Sequence, residues 1–520
     1  MMQKLQRRDF LKLAGGVTVS SFVVPDALMA NSGDDLGDFK AMVVVDLNGG
    51  NDAINTYIPT DTTTGSTTGY EYYAKARATK VRIKDNDMMT DLRNQVNSSG
   101  MLELNGGTNN LYYESDNIYD NYVKGLYVLD KKGFDKKVAI NGLMPEVAYW
   151  LDRGKGAVIQ NVGSISAPAT KDDLRNKVVK VPPFIFAHNQ QQKLAQTGQA
   201  ASINVPTGWL GRVADKWSGL PFGSGVYKMN INLSPYGRYR MFFGNSTNPM
   251  SYGGGGPVKW TRSFDPVLHL NLADNGSGDM FHNAYNKINK NIINQVAETV
   301  ADWDGVSGDN NIFAGLKDSY GIEFYDASGN RVQKAPTDEH KIDRASDKSD
   351  TFLTAAKLIK IGKEKGFKRM VIAVSMGGFD QHATQGKTHS QRLRGLSLGI
   401  DRFMRSMEHL ALIDNVTLFT VSEFGRSTGS NSDGTDHAWG GAHLVLGGSV
   451  QSGSYGRFPD LTLGGDEDYS NKGRLIPSTS FSQYYATMLK WFGADDDVLN
   501  YALPELKNFS TKDLGFMKQA

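Results

Sequence analysis

The sequence predicts an α/β fold in which parallel strands end in polar loops at one edge of a sheet. Residues 41–47 and 371–376 are short apolar runs that continue into glycines and a carboxylate, and a further apolar run ends at Glu423. Between the last two runs, residues 392–413 carry apolar side chains at roughly helical spacing. A right-handed crossover through this helix would make the strands parallel, with their polar ends at the carboxyl edge, where open α/β sheets bind ligands.

The amino-terminal residues 1–30 predict an export signal. Arg7 and Arg8 precede a weakly apolar stretch that ends in small residues at Ala30, which is the pattern of a twin-arginine signal peptide. We expect cleavage after Ala30, passage through the twin-arginine translocase, and a periplasmic or secreted mature protein. No later apolar run reaches the length of a membrane-spanning helix.

The composition narrows the classes of function. The chain has no cysteine, so neither disulfides nor thiolate ligands are available, and any metal must be bound by oxygen and imidazole. The formal net charge of +2 is near neutral, so nothing supports nucleic-acid binding, which normally shows as a basic patch or a high domain charge.

Residues 31–520 predict a single α/β domain with loop-rich insertions at about 60–110 and 203–350. Both insertions are rich in glycine and small polar residues with weak periodicity. The first contains a basic stretch around Lys75 to Lys84, to which we assign no chemistry. The other expected elements are a helix within 111–133, a strand at 155–163, a helix at 351–365, a strand that starts at His443 and a helix at 482–492.

Residues 423–443 predict a functional site. This segment carries three carboxylates, two histidines and an arginine among glycines, directly after an apolar strand. A segment this polar would leave backbone groups unpaired if it were buried, so its side chains must face water, a metal or a substrate.

The candidate metal ligands are carboxylates and imidazoles at three strand ends. This mixture suits zinc, manganese or calcium, as one ion or two, and two metals can stabilise both oxygens in phosphoryl or sulfuryl transfer. Arg426 could bind the oxygens of such an anion in a bidentate manner. The candidate ligands are Asp52, Asp380, His382, Glu423, Asp436, His437 and His443.

Several of these residues have an alternative structural role. The Asp380 and His382 pair could form a turn with a helix cap, Glu423 could pair with Arg426, and His443 could be a hydrogen-bonded core histidine. Residues 182–187 are an apolar run that predicts a further strand, and His188 and Asn189 after it could point into the same cleft or belong to an ordinary loop. The remaining histidines are expected to be surface or packing residues: His269, His282, His340, His389 and His409.

These motifs resemble the exported bacterial family called domain of unknown function 1501. Together with the twin-arginine start they span most of the chain outside the insertions. The segments that carry the resemblance are LNGGNDAIN at 47–55, FAHNQQ at 186–191, GWLGR at 208–212, MGGFDQH at 376–382, SEFGR at 422–426, GTDHAWGG at 434–441 and GRLIP at 473–477.

The resemblance implies the alkaline phosphatase and sulfatase clan, whose fold is a three-layer α/β/α sandwich with a metal centre at the carboxyl ends of the strands. By position, Asp52 corresponds to the clan's first-strand metal aspartate, and Asp380 with His382 to its Asp-and-His pair. Glu423 stands where the clan has an Asp-His dipeptide. The late histidine corresponds to His437 or His443.

The chain also departs from the clan's pattern. Phe424 occupies the position of a histidine ligand, and Asp46 rivals Asp52 as the first-strand ligand. No nucleophile is identified, because residues 187–190 read Ala-His-Asn-Gln where related sequences often have Ser-His-Asn-Asp. The resemblance therefore implies a metal-dependent hydrolase of phosphate or sulfate esters. The alternative is a catalytically degenerate clan member that binds a glycan or another anionic ligand without turnover.

Overall fold

The computed structural model of the chain describes residues 36–60, 69–77, 81–89, 124–135, 137–217, 230–233, 239–247, 250–251, 300–307, 311–318, 323–325 and 348–518. The expected signal peptide lies outside these residues, as do most of the two expected insertions. Within these ranges, no helix is long and apolar enough to cross a membrane.

Strands and helices alternate along the chain. The strands are β1 (Lys40–Leu47), β2 (Tyr57–Pro59), β3 (Lys84–Met89), β4 (Lys124–Val128), β5 (Val138–Asn141), β6 (Gly156–Gly163), β7 (Asn230–Asn232), β8 (Met250–Ser251), β9 (Arg369–Met376), β10 (Val416–Val421), β11 (Arg426–Ser430), β12 (Thr435–His437), β13 (Gly441–Leu446), β14 (Gly453–Tyr455) and β15 (Thr479–Ser480). The helices are α1 (Ala53–Thr56), α2 (Gly69–Ala76), α3 (Pro145–Asp152), α4 (Lys171–Arg175), α5 (His188–Thr197), α6 (Trp209–Trp217), α7 (Ser349–Glu364), α8 (Gln385–His409), α9 (Phe481–Phe492) and α10 (Asp496–Ala502).

One mixed sheet forms the centre of the fold. Its strand order is β14-β6-β13-β10-β1-β9-β7-β8, and β15 also pairs with β6. β1 is parallel to both β9 and β10, as the crossover argument predicted. β13 is antiparallel to β10 and β6, so the strand expected at His443 belongs to this sheet but runs against its two neighbours.

Helices cover both faces of the sheet. Val43 and Val45 of β1 pack in one core with α3, α7 and α8, whereas Met42 and Val44 pack in a second core with α6, α9 and α10. Because successive side chains of a strand point to opposite faces, a strand covered on both sides must be apolar throughout. The expected three-layer α/β/α arrangement is confirmed.

The strands that carry the polar loops end at the same level. In the register of the sheet, Leu47 of β1 is opposite Met376 of β9, and Asp46 is opposite Val421 of β10. The segments that follow these three strands therefore leave the sheet side by side. This register is what brings distant parts of the sequence together.

Part of the segment in which a helix was expected forms a strand, and residues 111–123 of that segment lie outside the described residues. Residues 124–128, the start of the described part of 111–133, form β4, which pairs with β5. The pairing buries Leu126 and Tyr127 completely, so tertiary packing determines the conformation of this segment. The helix expected at 392–413 is present but begins earlier, at Gln385, and ends at His409.

A buried ion pair joins α3 to α8. Nη1 of Arg394 donates to both carboxylate oxygens of Glu146 at 2.7 Å, and Ser397 Oγ donates to the same carboxylate at 2.6 Å. The exposed fractions of the two charged side chains are 5% and 0%. Desolvation of such charges is offset only by their partners, so this pair fixes how α3 packs on α8.

We expect Glu146→Ala to lower the free energy of unfolding by about 3–5 kcal/mol, because Arg394 loses its buried carboxylate. Urea denaturation measures this loss. The control is Glu408→Ala, whose carboxylate pairs with Arg153 while both side chains are partly exposed, and it should cost about 1 kcal/mol or less. Equal losses in the two variants would contradict a dominant role for the buried pair.

Candidate functional site

Four side chains from three segments meet at the carboxyl edge of the sheet. His188, Asp380 and His437 offer ligand atoms that all lie within 4.8 Å of one another. His382 joins them, with its Nε2 atom 3.1 Å from Asp380 Oδ1 and 2.9 Å from His437 Nε2. We call these four residues the His/Asp cluster.

Glycines allow the loop after β1 to approach the loops after β9 and β10. Gly49 and Gly50 have φ angles of +117° and +79°, a region that side chains disfavour. A Cβ on Gly49 would lie 2.3 Å from the backbone nitrogen of Asp380, and one on Gly50 would lie 2.4 Å from the ring of Phe424. The close approach lets the backbone N–H of Gly49 donate to Glu423 Oε1 at 2.8 Å.

The hairpin of β11 and β12 places Arg426 beside His437. The two residues are directly opposite each other in the antiparallel register, which puts their side chains on the same face of the hairpin. Both reach Asp380, because Arg426 Nη2 donates to Asp380 Oδ1 at 3.0 Å and His437 Nε2 lies 3.2 Å from the same oxygen. The sequence placed Arg426 and His437 in one site segment, but it did not predict that they lie opposite each other in a hairpin.

His188 is oriented by a buried carboxylate. Its Nδ1 atom lies 2.8 Å from Glu423 Oε1, while its Nε2 atom is buried, has no hydrogen-bond partner and lies 3.4 Å from Asp380 Oδ2. The hydrogen bond with Glu423 raises the pKa of His188. His188 is the first residue of α5, and residues 182–187 before it form a turn rather than the apolar strand that we expected.

His437 is oriented by a backbone carbonyl. Its Nδ1–H donates to the carbonyl oxygen of Phe186 at 2.8 Å, and its Nε2 atom faces Asp380 Oδ1 at 3.2 Å. Burial lowers the pKa of His437. Partial burial acts to raise the pKa of Asp380, but the hydrogen bond from His437 and the charge of Arg426 hold it below its usual value.

The geometry of the His/Asp cluster fits a metal ion. In a four-coordinate zinc site, bonds of about 2.0–2.1 Å set neighbouring ligand atoms about 3.3 Å apart. Four separations between ligand atoms of the cluster, of 2.9 to 3.4 Å, are close to this value, one of them through Asp380 Oδ2 and two through Oδ1, and the ligand atoms of His188, Asp380 and His437 all lie within 4.8 Å of one another. In metal sites the second ring nitrogen of a ligating histidine usually donates to a carboxylate or a carbonyl, as His188 and His437 do here.

The other expected ligands have different positions. Glu423 is buried and binds His188 through its side chain, so it acts one step away from the cluster. Asp436 Oδ1 lies 3.4 Å from His382 Nδ1, which gives it a similar supporting position. Asn189 is exposed in the first turn of α5, next to His188.

Asp52 and His443 are not brought to the cluster, which corrects their expected role as ligands. The carboxylate of Asp52 is fully buried and accepts two hydrogen bonds of 2.7 Å from Arg77. His443 is buried in the sheet and stacks on Tyr484, which is the core position that was its alternative. The rival Asp46 is also buried, and desolvation together with the charge of Glu423 raises its pKa to about 8.

Sequence reasoning missed Arg77. It lies in the first insertion, within the basic stretch to which we assigned no chemistry, and its side chain is fully buried against Asp52. The basic stretch was a signal that this insertion contacts an acidic group, but no local pattern indicates which one. Phe424 was noted only as a departure, yet its ring packs 4.8 Å from both His188 and His437.

Residues 331–507 match the family model described as "Protein of unknown function (DUF1501)". This segment contains Asp380, Glu423 and His437, and the match agrees with the resemblance of its motifs. A comparison with curated proteins gave no match.

Three solved structures are similar to the chain at low sequence identity. Ps i-CgsB in complex with k-i-k-neocarrahexaose is 10% identical over 70% of this chain and 71% of that chain, with a TM-score of 0.29, and Ps i-CgsB alone has the same identity and coverage with a TM-score of 0.31. The phosphonate monoester hydrolase SpPMH from Silicibacter pomeroyi is 10% identical over 68% and 69% of the two chains, with a TM-score of 0.26. At 10% identity, the chemistry of the site has to be inferred from its own side chains.

We expect His443 to make the stability of the fold depend on pH. Burial lowers the pKa of His443 to about 3, whereas the pKa of a histidine in the unfolded chain is about 6.5. Between these values the unfolded state binds the extra proton, so the free energy of unfolding should fall by up to about 1.4 kcal/mol for each pH unit below about 6.5.

His443→Gln should remove this contribution to the slope, as measured by urea denaturation at a series of pH values between about 7 and 4. The control is His409→Gln, because His409 is exposed and its Nε2 atom lies 3.0 Å from the backbone carbonyl oxygen of Ile312. An unchanged slope in His443→Gln would show that His443 does not remain neutral in the folded protein.

Proposed function

We propose that the chain is an exported, metal-dependent hydrolase of phosphate or sulfate esters, with its metal held by His188, Asp380 and His437 and with His382 beside them. The observation that carries this proposal is the orientation of two histidines. Each has its Nδ1 atom engaged by an oxygen, so that each Nε2 atom faces Asp380. Side chains held in this way are prepared for a cation before it binds.

The donor set favours zinc or manganese. Three imidazole nitrogens and a carboxylate oxygen suit both metals, whereas calcium takes oxygen ligands almost exclusively. A bound divalent ion would supply a Lewis acid for an ester oxygen and a water of lowered pKa. The single cluster supports one ion in the described part of the chain, with Asp436 as a supporting carboxylate for His382.

Arg426 supplies a buried positive charge for an anionic ester. Its side chain is 0% exposed, and Nε and Nη1 have no hydrogen-bond partner while Nη2 donates to Asp380. Donors that are fixed before the substrate arrives stabilise the charge that develops on transferring phosphoryl or sulfuryl oxygens. Phe424 packs against His188 and His437, so it shields one side of the cluster from water.

A second candidate is a binding protein that retains the site without turnover. None of the hydrogen bonds made by His188, Asp380, His382 or His437 goes to a serine or threonine hydroxyl. The described residues therefore place no hydroxyl nucleophile in direct contact with the cluster. The complex of Ps i-CgsB with k-i-k-neocarrahexaose makes an anionic or neutral glycan a reasonable ligand class for this candidate.

Export is part of the proposal. The twin-arginine motif at residues 7–8 supports passage through the twin-arginine translocase and a periplasmic or secreted location for the mature protein. Fusion of residues 1–30 to a reporter that is active only after export tests this step. Replacement of Arg7 and Arg8 by lysine should abolish the export, and continued export would contradict the assigned pathway.

We expect the mature protein to retain about one equivalent of zinc or manganese when it is purified without chelators, because the His/Asp cluster offers nitrogen and oxygen donors at suitable separations. Elemental mass spectrometry measures this content. His437→Ala and Asp380→Ala should each lose the metal, whereas the surface control His409→Ala should keep it. Equal metal content in all variants would contradict the assignment of the site.

Arg426→Lys should lower kcat/KM for aryl phosphate, phosphonate or sulfate esters by about 10²–10³-fold at saturating metal, because lysine cannot present the fixed planar donors of arginine. Assays of these ester classes with the native protein identify the substrate class first. Absence of turnover in every ester class by the metal-loaded native protein would favour the binding protein. Turnover that is unaffected in Arg426→Lys would remove Arg426 from the mechanism.

A further inference from the structure

We propose that Asp52 is a positioning residue: with Arg77, Gln385 and Thr435 it forms a buried hydrogen-bonded chain that holds the two metal-binding loops at the separation a metal requires. This inference rests on the proposed function, since it assigns the support of the same site. We call these four residues the buried tether.

The tether begins with an ion pair that has no contact with water. Arg77 and Asp52 have side chains that are 0% exposed, and both guanidinium nitrogens at the fork donate to the carboxylate at 2.7 Å. Burial acts to raise the pKa of Asp52, but the charge and hydrogen bonds of Arg77 lower it overall. Buried pairs of this kind contribute little net stability but constrain geometry.

Gln385 connects this ion pair to the β11–β12 hairpin through hydrogen bonds. Its Nε2 donates to Asp52 Oδ2, and its Oε1 accepts a hydrogen bond of 2.7 Å from the hydroxyl of Thr435. Both ends of the amide are used, so the side chain has one orientation that satisfies its partners. The backbone N–H of Gln385 also donates to the carbonyl of Asp433 at 2.9 Å, which fixes the start of α8 against the same hairpin.

Thr435 connects the tether to both metal-binding loops. It directly precedes Asp436 and His437 in the chain. Its backbone N–H donates to the carbonyl of Gln381 at 3.1 Å, and Gln381 lies between Asp380 and His382. One residue thus sets the hairpin that carries His437 against the loop that carries Asp380 and His382.

The hairpin that carries His437 and the loop that carries His382 are in close backbone contact at Gly434. A Cβ added to Gly434 would lie 2.2 Å from the carbonyl group of His382, which is far inside van der Waals contact. The loops therefore touch through backbone atoms, and a small change in the position of Thr435 must move the cluster. Displacement of ligand atoms by a fraction of an ångström is enough to weaken a metal site.

The first insertion provides the cation of the tether. Arg77 follows α2, which is attached to the segment after Asp52 because Tyr73 Oη donates to Asn55 Oδ1 at 2.7 Å. Asn55 in turn donates to the carbonyl of Val81 at 2.8 Å. These contacts give the insertion a role in the site, although it contributes no ligand.

The test compares two threonines on one hairpin. Thr435→Val removes the hydroxyl that binds Gln385, while Thr428→Val removes a hydroxyl that is buried but has no hydrogen-bond partner. Both changes conserve side-chain volume closely. Thr435→Ser retains the hydroxyl and serves as the rescue variant. Each protein is stripped of metal and titrated with zinc and manganese by calorimetry.

We expect Thr435→Val to weaken metal affinity by about 10–100-fold, as removal of a supporting hydrogen bond typically does. Thr428→Val should stay within about 2-fold of the native protein, and Thr435→Ser should recover most of the affinity. Equal affinities in Thr435→Val and Thr428→Val would overturn the inference while the native site remains intact. Failure of the native protein to bind either metal would instead overturn the proposed function.

Hydrogen exchange of the metal-free proteins provides a second measurement that does not depend on metal binding. The amides of residues 381–385 and 433–437 should exchange faster in Thr435→Val than in Thr428→Val, because the loops lose their tether. Faster exchange confined to Thr435→Val supports the positioning role. Identical exchange in the two variants would overturn it, whatever the metal affinity of the native protein.

Discussion

The site depends on the register of three parallel strands. β1 lies between β9 and β10, and pairing of Leu47 with Met376 and of Asp46 with Val421 ends all three strands at one level. The loops that follow must then share a small volume, which is possible because Gly49 carries no side chain against the backbone of Asp380. A shift of one residue in this register would send each strand's side chains to the opposite core and separate the loops.

The polar groups at this edge are ordered from the inside outward. The buried carboxylate of Glu423 and the partly buried carbonyl of Phe186 engage the Nδ1 atoms of His188 and His437, and the opposite ring nitrogens face Asp380. Deeper still, the ion pair of Asp52 is shielded from water on all sides. The low local polarity strengthens each of these hydrogen bonds and makes any unpaired group costly, so the arrangement is stiff before a ligand binds.

The sequence motifs identified most of the residues near the site. Five of these residues follow an apolar strand among glycines, and the structure brings them together. They are Asp380, His382, Glu423, Arg426 and His437. Such local patterns are informative because open α/β sheets bind ligands at the carboxyl ends of their strands, so a carboxylate among glycines at a strand end indicates a site. His188 was harder to predict, because residues 182–187 before it form a turn although their apolar pattern predicts a strand. Only the position of α5 directs the ring of His188 to the cluster.

By itself, the sequence determined the parallel strands β1, β9 and β10, the crossover helix α8 and the residue types available for chemistry, because hydrophobic periodicity and the absence of cysteine are local properties. Only the tertiary structure decided which acidic and imidazole groups share one point in space. Asp52 pairs with Arg77 and His443 stacks on Tyr484, so neither side chain reaches the His/Asp cluster. Each of these outcomes depends on a partner far along the chain, and the cost of burying a charge or an imidazole is settled by such partners rather than by its sequence neighbours.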